Sequence, residues 1–195
     1  CAGNGAVGLF ASTRTKAKIL AVEIQERLAD MAERSIELND LTQQMQVIQD
    51  DLKNLGRYIT GSKVDMILCN PPYFKVDKKS NLNESQHYLL ARHEISTNLE
   101  EICKIAQRIL KSNGRLAMVH RPERFLDILD TMQAHNLAPK RIQFVYPKLG
   151  KEANMLLIEA IKDGSRDGLK ILPPLFIHNQ DGSYTPEIHE IYYGK

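Results

Sequence analysis

Val64-Asp65-Met66-Ile67-Leu68-Cys69-Asn70-Pro71-Pro72-Tyr73 is an apolar run that stops on an Asn and two prolines. The run reads as a buried strand, and the residues after it as a rigid loop at its carboxyl end. Each proline fixes its own φ, has no N–H to donate and holds the residue before it extended. The carbonyls of such a loop are left to accept. The side-chain oxygen of Asn70 and a prolyl carbonyl suit the N–H groups of a flat, amine-bearing compound, and Tyr73 suits its face. The plainer alternative is an ordinary strand-to-loop turn. Context favours the chemical reading, because a Gly-rich loop lies upstream. Asn70, Pro71, Pro72 and Tyr73 are therefore the candidate catalytic residues.

That upstream loop is Cys1-Ala2-Gly3-Asn4-Gly5-Ala6-Val7-Gly8, which runs into the apolar helix start Val7-Gly8-Leu9-Phe10. Glycine permits positive φ and lets a backbone approach a ligand, while a helix start presents free N–H groups. Lys18-Ile19-Leu20-Ala21-Val22 is a short strand ending at Glu23, eighteen positions after Gly5. A carboxylate at that distance is placed for the ribose hydroxyls of a nucleoside. It also suits the positive end of a helix dipole, and both roles can hold together. Ile24 would then lie against an adenine face.

Residues 23–38 read as a helix carrying Ile24, Leu28, Met31, Ile36 and Leu38, stopped by Asn39-Asp40. Met45-Gln46-Val47-Ile48-Gln49 reads as the next strand and ends in Asp50-Asp51. A carboxylate there serves either an adenine amine or the N-cap of the segment 52–58.

Beyond the tetrad, residues 74–86 are polar, with Lys75, Lys78 and Lys79 able to meet phosphates or simply to be solvated. Arg92 and His93 precede an amphipathic helix through Leu99, Ile102, Ile105, Ala106, Ile109 and Leu110; His93 suits a catalytic role or, in preference, the shaping of a substrate mouth or a helix start. Asn113-Gly114 reads as the end of that helix, before a strand over residues 115–120. Pro122 opens a further helix to about His135. Two closing strands, residues 141–145 and 155–160, are joined through the basic Lys148-Leu149-Gly150-Lys151. The tail, with Pro173-Pro174, Tyr184, Tyr192 and Tyr193, carries no chemistry that the sequence makes readable. Alternating strands and helices predict an α/β fold, a mainly parallel sheet with helices on both faces and a hairpin at one edge. Ligands in such sheets sit outside the carboxyl strand ends, where the Gly loop, Glu23, Asp51 and Asn70 all fall.

The chain has 195 residues, 43% hydrophobic and 26% charged, with a net charge of +2, which fits one ordinary globular domain. So small a charge does not announce nucleic-acid binding, although a local basic face remains compatible with it. Three scattered cysteines, Cys1, Cys69 and Cys103, have no metal spacing and read as reduced thiols of a cytoplasmic protein. No apolar run reaches membrane-spanning length and no signal peptide is visible. The sequence opens at Cys1, inside the Gly loop and without a preceding strand, so it is read as a single domain, 1–195, truncated at its amino terminus.

Cys1-Ala2-Gly3-Asn4-Gly5, Val22-Glu23-Ile24-Gln25, Asp50-Asp51 and Asn70-Pro71-Pro72-Tyr73-Phe74 together resemble the amino-group methyltransferases that use S-adenosylmethionine. Within that class the combination is similar to the tRNA adenine methyltransferases acting on a valine tRNA. Ala91-Arg92-His93-Glu94, Tyr184-Thr185-Pro186-Glu187 and Ile191-Tyr192-Tyr193-Gly194 also look like segments of that family. The resemblance implies a Rossmann-like class I fold of seven strands, the first being absent from this sequence together with the family's amino-terminal portion.

It also implies S-adenosylmethionine as cofactor, held by Cys1, Ala2, Gly3, Asn4, Gly5, Glu23, Ile24, Asp50 or Asp51, and Asn70, with Asp51 matching the family pattern better. Tyr73, Phe74, Lys75, Lys78, Lys79, Arg92 and His93 would meet the substrate, an adenine whose exocyclic N6 amine is methylated. Amine methylation needs no strong base, which favours the mouth or helix start over catalysis for His93. The implied partner is RNA, with no membrane, metal or obligate protein partner. The competing readings are a glutamine-amide methyltransferase of a translation release factor, a DNA or ribosomal RNA adenine methyltransferase, and a non-catalytic nucleotide-binding scaffold.

Overall fold

The computed structural model describes residues 1–61, 63–71 and 99–194. The chain divides into two compact units, one of Cys1–Lys63 with Leu68–Ile109, the other of Val64–Ile67 with Leu110–Lys195.

In the first unit, α1 (Ala6–Ser12) leads into β1 (Ile19–Glu23), α2 (Glu26–Leu38) and β2 (Met45–Gln49). The strands pair in parallel, Ile19 opposite Met45 through Glu23 opposite Gln49, so both end at the same edge. The buried face of α2 is Ala29, Ala32 and Ile36, at helical spacing, while Asp30 and Arg34 pair at 2.7 Å on the outside. Leu38, one of the apolar residues that suggests a core face, is 85% exposed instead. Ala32 suits its inward position because Gly5 of the Gly-rich loop lies close against it. Ala21, Ile36 and Met45 form the buried cluster, with Ala2, Leu9, Ile19, Leu41 and Val47 packed on it. A 3-10 helix (Leu52–Arg57) follows, and α3 (Leu99–Ile109) buries Leu99, Ile102, Cys103, Ile105, Ala106 and Ile109. Lys53 reaches Glu101 of α3 at 3.1 Å.

β3 (Val64–Cys69) begins in the second unit and its last two residues fall in the first. The second unit continues with β4 (Leu110–His120), α4 (Phe125–Ala134), β5 (Leu137–Lys148), β6 (Met155–Lys162), β7 (Lys170–Ile171), β8 (Leu175–His178) and α5 (Pro186–Tyr193). Its sheet runs β3-β4-β6-β5-β7, with β8 also on β5. β6 is antiparallel to both β4 and β5, which is the closing hairpin the sequence suggests, whereas β7 and β8 join β5 in parallel. The α/β class stands; the ladders are mixed, and the described strands form a two-stranded and a six-stranded sheet. Leu156, Ile158, Ala160 and Lys162 alternate inward along β6. Buried Lys162 is satisfied by donating to the carbonyl of Leu110 at 2.8 Å. The β5–β6 register slips between Pro139 and Arg141, where a proline has no N–H for the ladder.

Asn113-Gly114 is not a helix stop. α3 ends at Ile109 and β4 begins at once, with Asn113 at φ 63° inside it. A Cβ on Gly114 would lie 2.8 Å from the Lys111 carbonyl, so the pair marks a kink at the head of a strand. The tail is also ordered beyond expectation, forming β7, β8 and α5.

Candidate active site

The Gly-rich loop is fastened to the end of β1 by its own backbone. The Cys1 nitrogen and the Ala2 N–H both donate to the Val22 carbonyl, at 2.7 and 2.9 Å. Gly3 N–H donates to Glu23 Oε2 at 2.7 Å. The other oxygen of Glu23, Oε1, accepts from Ile24 N–H and Gln25 N–H, each at 3.0 Å. Glu23 is only 4% exposed, so this carboxylate is a buried charge surrounded by backbone donors. A carboxylate offers about four acceptor positions. Oε2 hydrogen-bonds to Gly3 N–H and also lies 3.8 Å from the Cys1 amino group, which leaves one of its acceptor positions for a further hydroxyl.

The glycines divide the work. Gly3 has φ 57° and a Cβ there would meet nothing within 4 Å, so the backbone is bare towards open space. Gly5, at φ 86°, is buried, and its Cβ would come to 3.1 Å from that of Ala32 on α2. A Cβ on Gly8 would stand 2.4 Å from the methyl carbon of Met45, the movable end of that side chain, and 3.5 Å from Ile19 Cγ2, so α1 runs close to the first strands there. Gly8 continues the loop's glycine pattern, although the candidate residues from sequence stop at Gly5. The signal was available: Gly3, Gly5 and Gly8 have the spacing of a nucleotide-binding turn whose third glycine permits close helix–strand packing.

The second strand end sits beside the first. Asp50 N–H donates to the Glu23 carbonyl at 3.0 Å, which joins the two carboxylate stations through the backbone. Asp50 Oδ1 accepts from Asp51 N–H at 2.6 Å and Asn54 Nδ2 at 2.7 Å, and Oδ2 from the Tyr58 hydroxyl at 2.9 Å. The Asn54 bond, then the Tyr58 bond, hold the Asp50 carboxyl below the usual carboxylate range. Asp51 caps the 3-10 helix, Oδ1 accepting from Lys53 N–H at 2.9 Å. The capping role is thus real for Asp51, while the oxygens of Asp50 accept from Asp51 N–H and from the side chains of Asn54 and Tyr58.

β3 delivers Asn70, exposed, and Pro71, buried, at its carboxyl end. Burial pushes the neighbouring Cys69 thiol up to about 11, with the Cys1 amino group pulling it the other way. Cys103 on α3 is buried and pushed up to about 12, so neither thiol is a nucleophile at neutral pH. Pro72, Tyr73, Phe74, Lys75, Lys78, Lys79, Arg92 and His93 lie outside the described residues. Among the described residues no group of His, Cys, Asp and Glu is placed to hold a metal ion, and no helix is long and apolar enough to cross a membrane.

The family described as conserved hypothetical protein 95 matches residues 1–124, the stretch that contains every one of these stations. The chain belongs to this family. Beyond it, a Porphyromonas gingivalis protein named tRNA1(Val) (adenine(37)-N6)-methyltransferase is 26% identical over 189 residues, covering 95% of this chain and 73% of its own. A Bacteroides fragilis protein of the same name is 27% identical over 192 residues, covering 97% and 79%. Among solved structures, one described as a predicted O-methyltransferase from Agrobacterium tumefaciens superposes with a TM-score of 0.77 at 24% identity, covering 100% of this chain and 86% of that one. A geranyl diphosphate C-methyltransferase from Streptomyces coelicolor gives a TM-score of 0.60 at 13% identity, over 82% and 68%. This member of the conserved hypothetical protein 95 family therefore has the Rossmann-like class I methyltransferase fold.

Proposed function

We propose that this chain is an S-adenosylmethionine-dependent methyltransferase acting in the cytoplasm on the exocyclic N6 amine of an adenine in tRNA, of the valine-tRNA type. The observation that carries this is the buried Glu23 carboxylate tied to Gly3 of the loop, in the same compact unit as Asn70-Pro71 at a strand end. The two relatives bearing the tRNA adenine methyltransferase name support the choice of substrate.

The residues present fit this cofactor. Gly3 leaves bare backbone, Glu23 keeps an acceptor for a ribose hydroxyl, Ile24 is half-buried beside it, and Asp51 lies at the next strand end for an adenine amine. When bound, the cofactor supplies an electrophilic methyl group. The adenine amine is a weak nucleophile because its lone pair is shared with the ring. The Asn70 side chain and the Pro71 carbonyl accept from its N–H groups, localise that pair and aim it. Orientation of this kind contributes several kcal/mol, up to about 7–11 in the best intramolecular cases. Tyr73 and Phe74 receive the face of the base, which is unstacked at least cost in a single-stranded loop. Lys75, Lys78 and Lys79, with Arg92 and His93, meet the RNA around it.

The test is incubation of full-length protein with labelled S-adenosylmethionine and either unmodified valine tRNA or a release factor. Label enters N6-methyladenine of the tRNA, and Asn70→Ala abolishes this with only a modest loss of cofactor affinity. Label in the protein fraction, or near-normal single turnover by Asn70→Ala, overturns the proposal.

A further inference from the structure

The second unit carries a row of aromatic rings beside a basic turn, and the proposed chemistry uses neither. His178, at the end of β8, stacks on Tyr184 with centroids 5.2 Å apart and planes 20° from parallel. Tyr184 meets Tyr192 at 5.7 Å, and Tyr192 meets Tyr193 at 6.2 Å. These tyrosines are 44%, 52% and 68% exposed, an unusual expenditure of large apolar surface.

The row is built and held. Thr185 caps α5, its hydroxyl accepting from Ile188 N–H at 3.4 Å and donating to the Phe176 carbonyl at 2.7 Å. Pro186 occupies the first turn, and Ile188 is buried with Val145 and Leu175. α5 therefore anchors through one isoleucine and turns Tyr192 and Tyr193 outward. His178 is fixed by donating from Nδ1 to the Pro147 carbonyl at 3.3 Å.

Beside this row lies an open concavity of about 780 Å³ lined by Pro147, Lys148, Lys151, Glu152, His178 and Gly182. Gln180 bonds the Leu149 carbonyl at 3.2 Å and so joins the basic turn to the loop that carries the rings. Two lysines against one glutamate leave the concavity cationic. Outward rings next to lysines are the two components of a single-stranded nucleic-acid surface: stacking for the bases, charge for the backbone.

We infer that Tyr184, Tyr192 and Tyr193 form a base-stacking platform for an unpaired segment of the RNA substrate, with Lys148 and Lys151 holding the adjoining phosphates. This rests on the RNA reading of the active site and extends it to a second contact surface.

The experiment measures binding of unmodified valine tRNA and of a single-stranded RNA oligomer across a salt series, for full-length protein and surface variants. Tyr184→Ala with Tyr192→Ala weakens binding about tenfold with an unchanged salt slope, because stacking releases no counterions. Tyr184→Phe with Tyr192→Phe binds like the parent. Lys148→Ala with Lys151→Ala flattens the slope by about 1.4 for two single-strand phosphate contacts. Ultraviolet cross-linking of the unsubstituted protein links RNA to the peptide carrying Tyr184–Tyr193, and does so whether or not a variant folds. No cross-link in that peptide, or alanine variants that bind like the parent while the parent methylates tRNA, overturns the platform and leaves the active-site reading standing. A parent protein that binds no RNA overturns both.

Discussion

The two carboxylate stations at the ends of β1 and β2 lie side by side, yet they are held by different means. Glu23 is buried and satisfied by three backbone N–H groups, from Gly3, Ile24 and Gln25. Asp50 and Asp51 form a more open turn, and two of the bonds to Asp50 come from the side chains of Asn54 and Tyr58. A buried charge held by backbone dictates the shape of a loop, because any change strands donors that have no water to turn to. A charge held by side chains at the surface can be retuned by substitution. The first station fixes the shape of the loop; the second can change without disturbing it.

Glu23→Ala tests the contrast most severely. It strands the Gly3, Ile24 and Gln25 donors and lowers stability by about 3 kcal/mol, and S-adenosylmethionine affinity by about 1.5–3 kcal/mol. Denaturant melts read the first figure and calorimetry the second; an unchanged cofactor affinity removes Glu23 from the site. Next come the glycines. Gly5→Ala adds a contact with Ala32 to the cost of positive φ and loses about 2 kcal/mol, against about 1 kcal/mol for Gly3→Ala, whose Cβ meets open space. Equal melts for the two would break the distinction between a packing glycine and one that faces open space.

At the second station effects are smaller. Asp51→Ala removes an N-cap and costs about 1 kcal/mol in a thermal melt. Asp50 gives a signature in pH. Its folded pKa lies below the ordinary carboxylate value of 3.8, so its stabilisation is present above that value and is lost as pH falls through the folded one. The phenol of Tyr58, raised above 10.0 by the same hydrogen bond, keeps its share until pH climbs past 10.0. The difference in melting temperature between parent and Asp50→Asn is thus flat through neutral pH and closes below about pH 4. A difference that does not shrink at all as pH falls below 3.8 shows that the charge of Asp50 is immaterial.

Much of the first unit was legible from sequence. β2 and β3 run over the residues their apolar pattern marks, and Glu23 sits at the strand end its spacing from the glycines requires. α2 starts at Glu26 instead of Glu23, because Glu23 ends the strand and Ile24 and Gln25 spend their N–H groups on its carboxylate. The face of α2 was misread for a related reason. Periodicity weighs Leu and Met above Ala, but the approach of Gly5 admits only a methyl group at Ala32. In the second unit β7, β8 and α5 escaped notice because each is short and made by pairing to β5 or by a single buried isoleucine, neither of which leaves a period in the sequence.

Pro173-Pro174 has a consequence for the protein in bulk. It divides the outer partner of β5 into β7 and β8, with Leu172 N–H still reaching Ile142 and the Pro173 carbonyl taken by Gln143. Both prolines are exposed, and neither can offer an N–H to a strand arriving from another molecule. The rim of the sheet is thereby blunted at its middle, where an unbroken strand would invite end-to-end polymerisation. Replacing the pair with valines would give a continuous outer strand, and the protein would then be limited by its solubility before its stability.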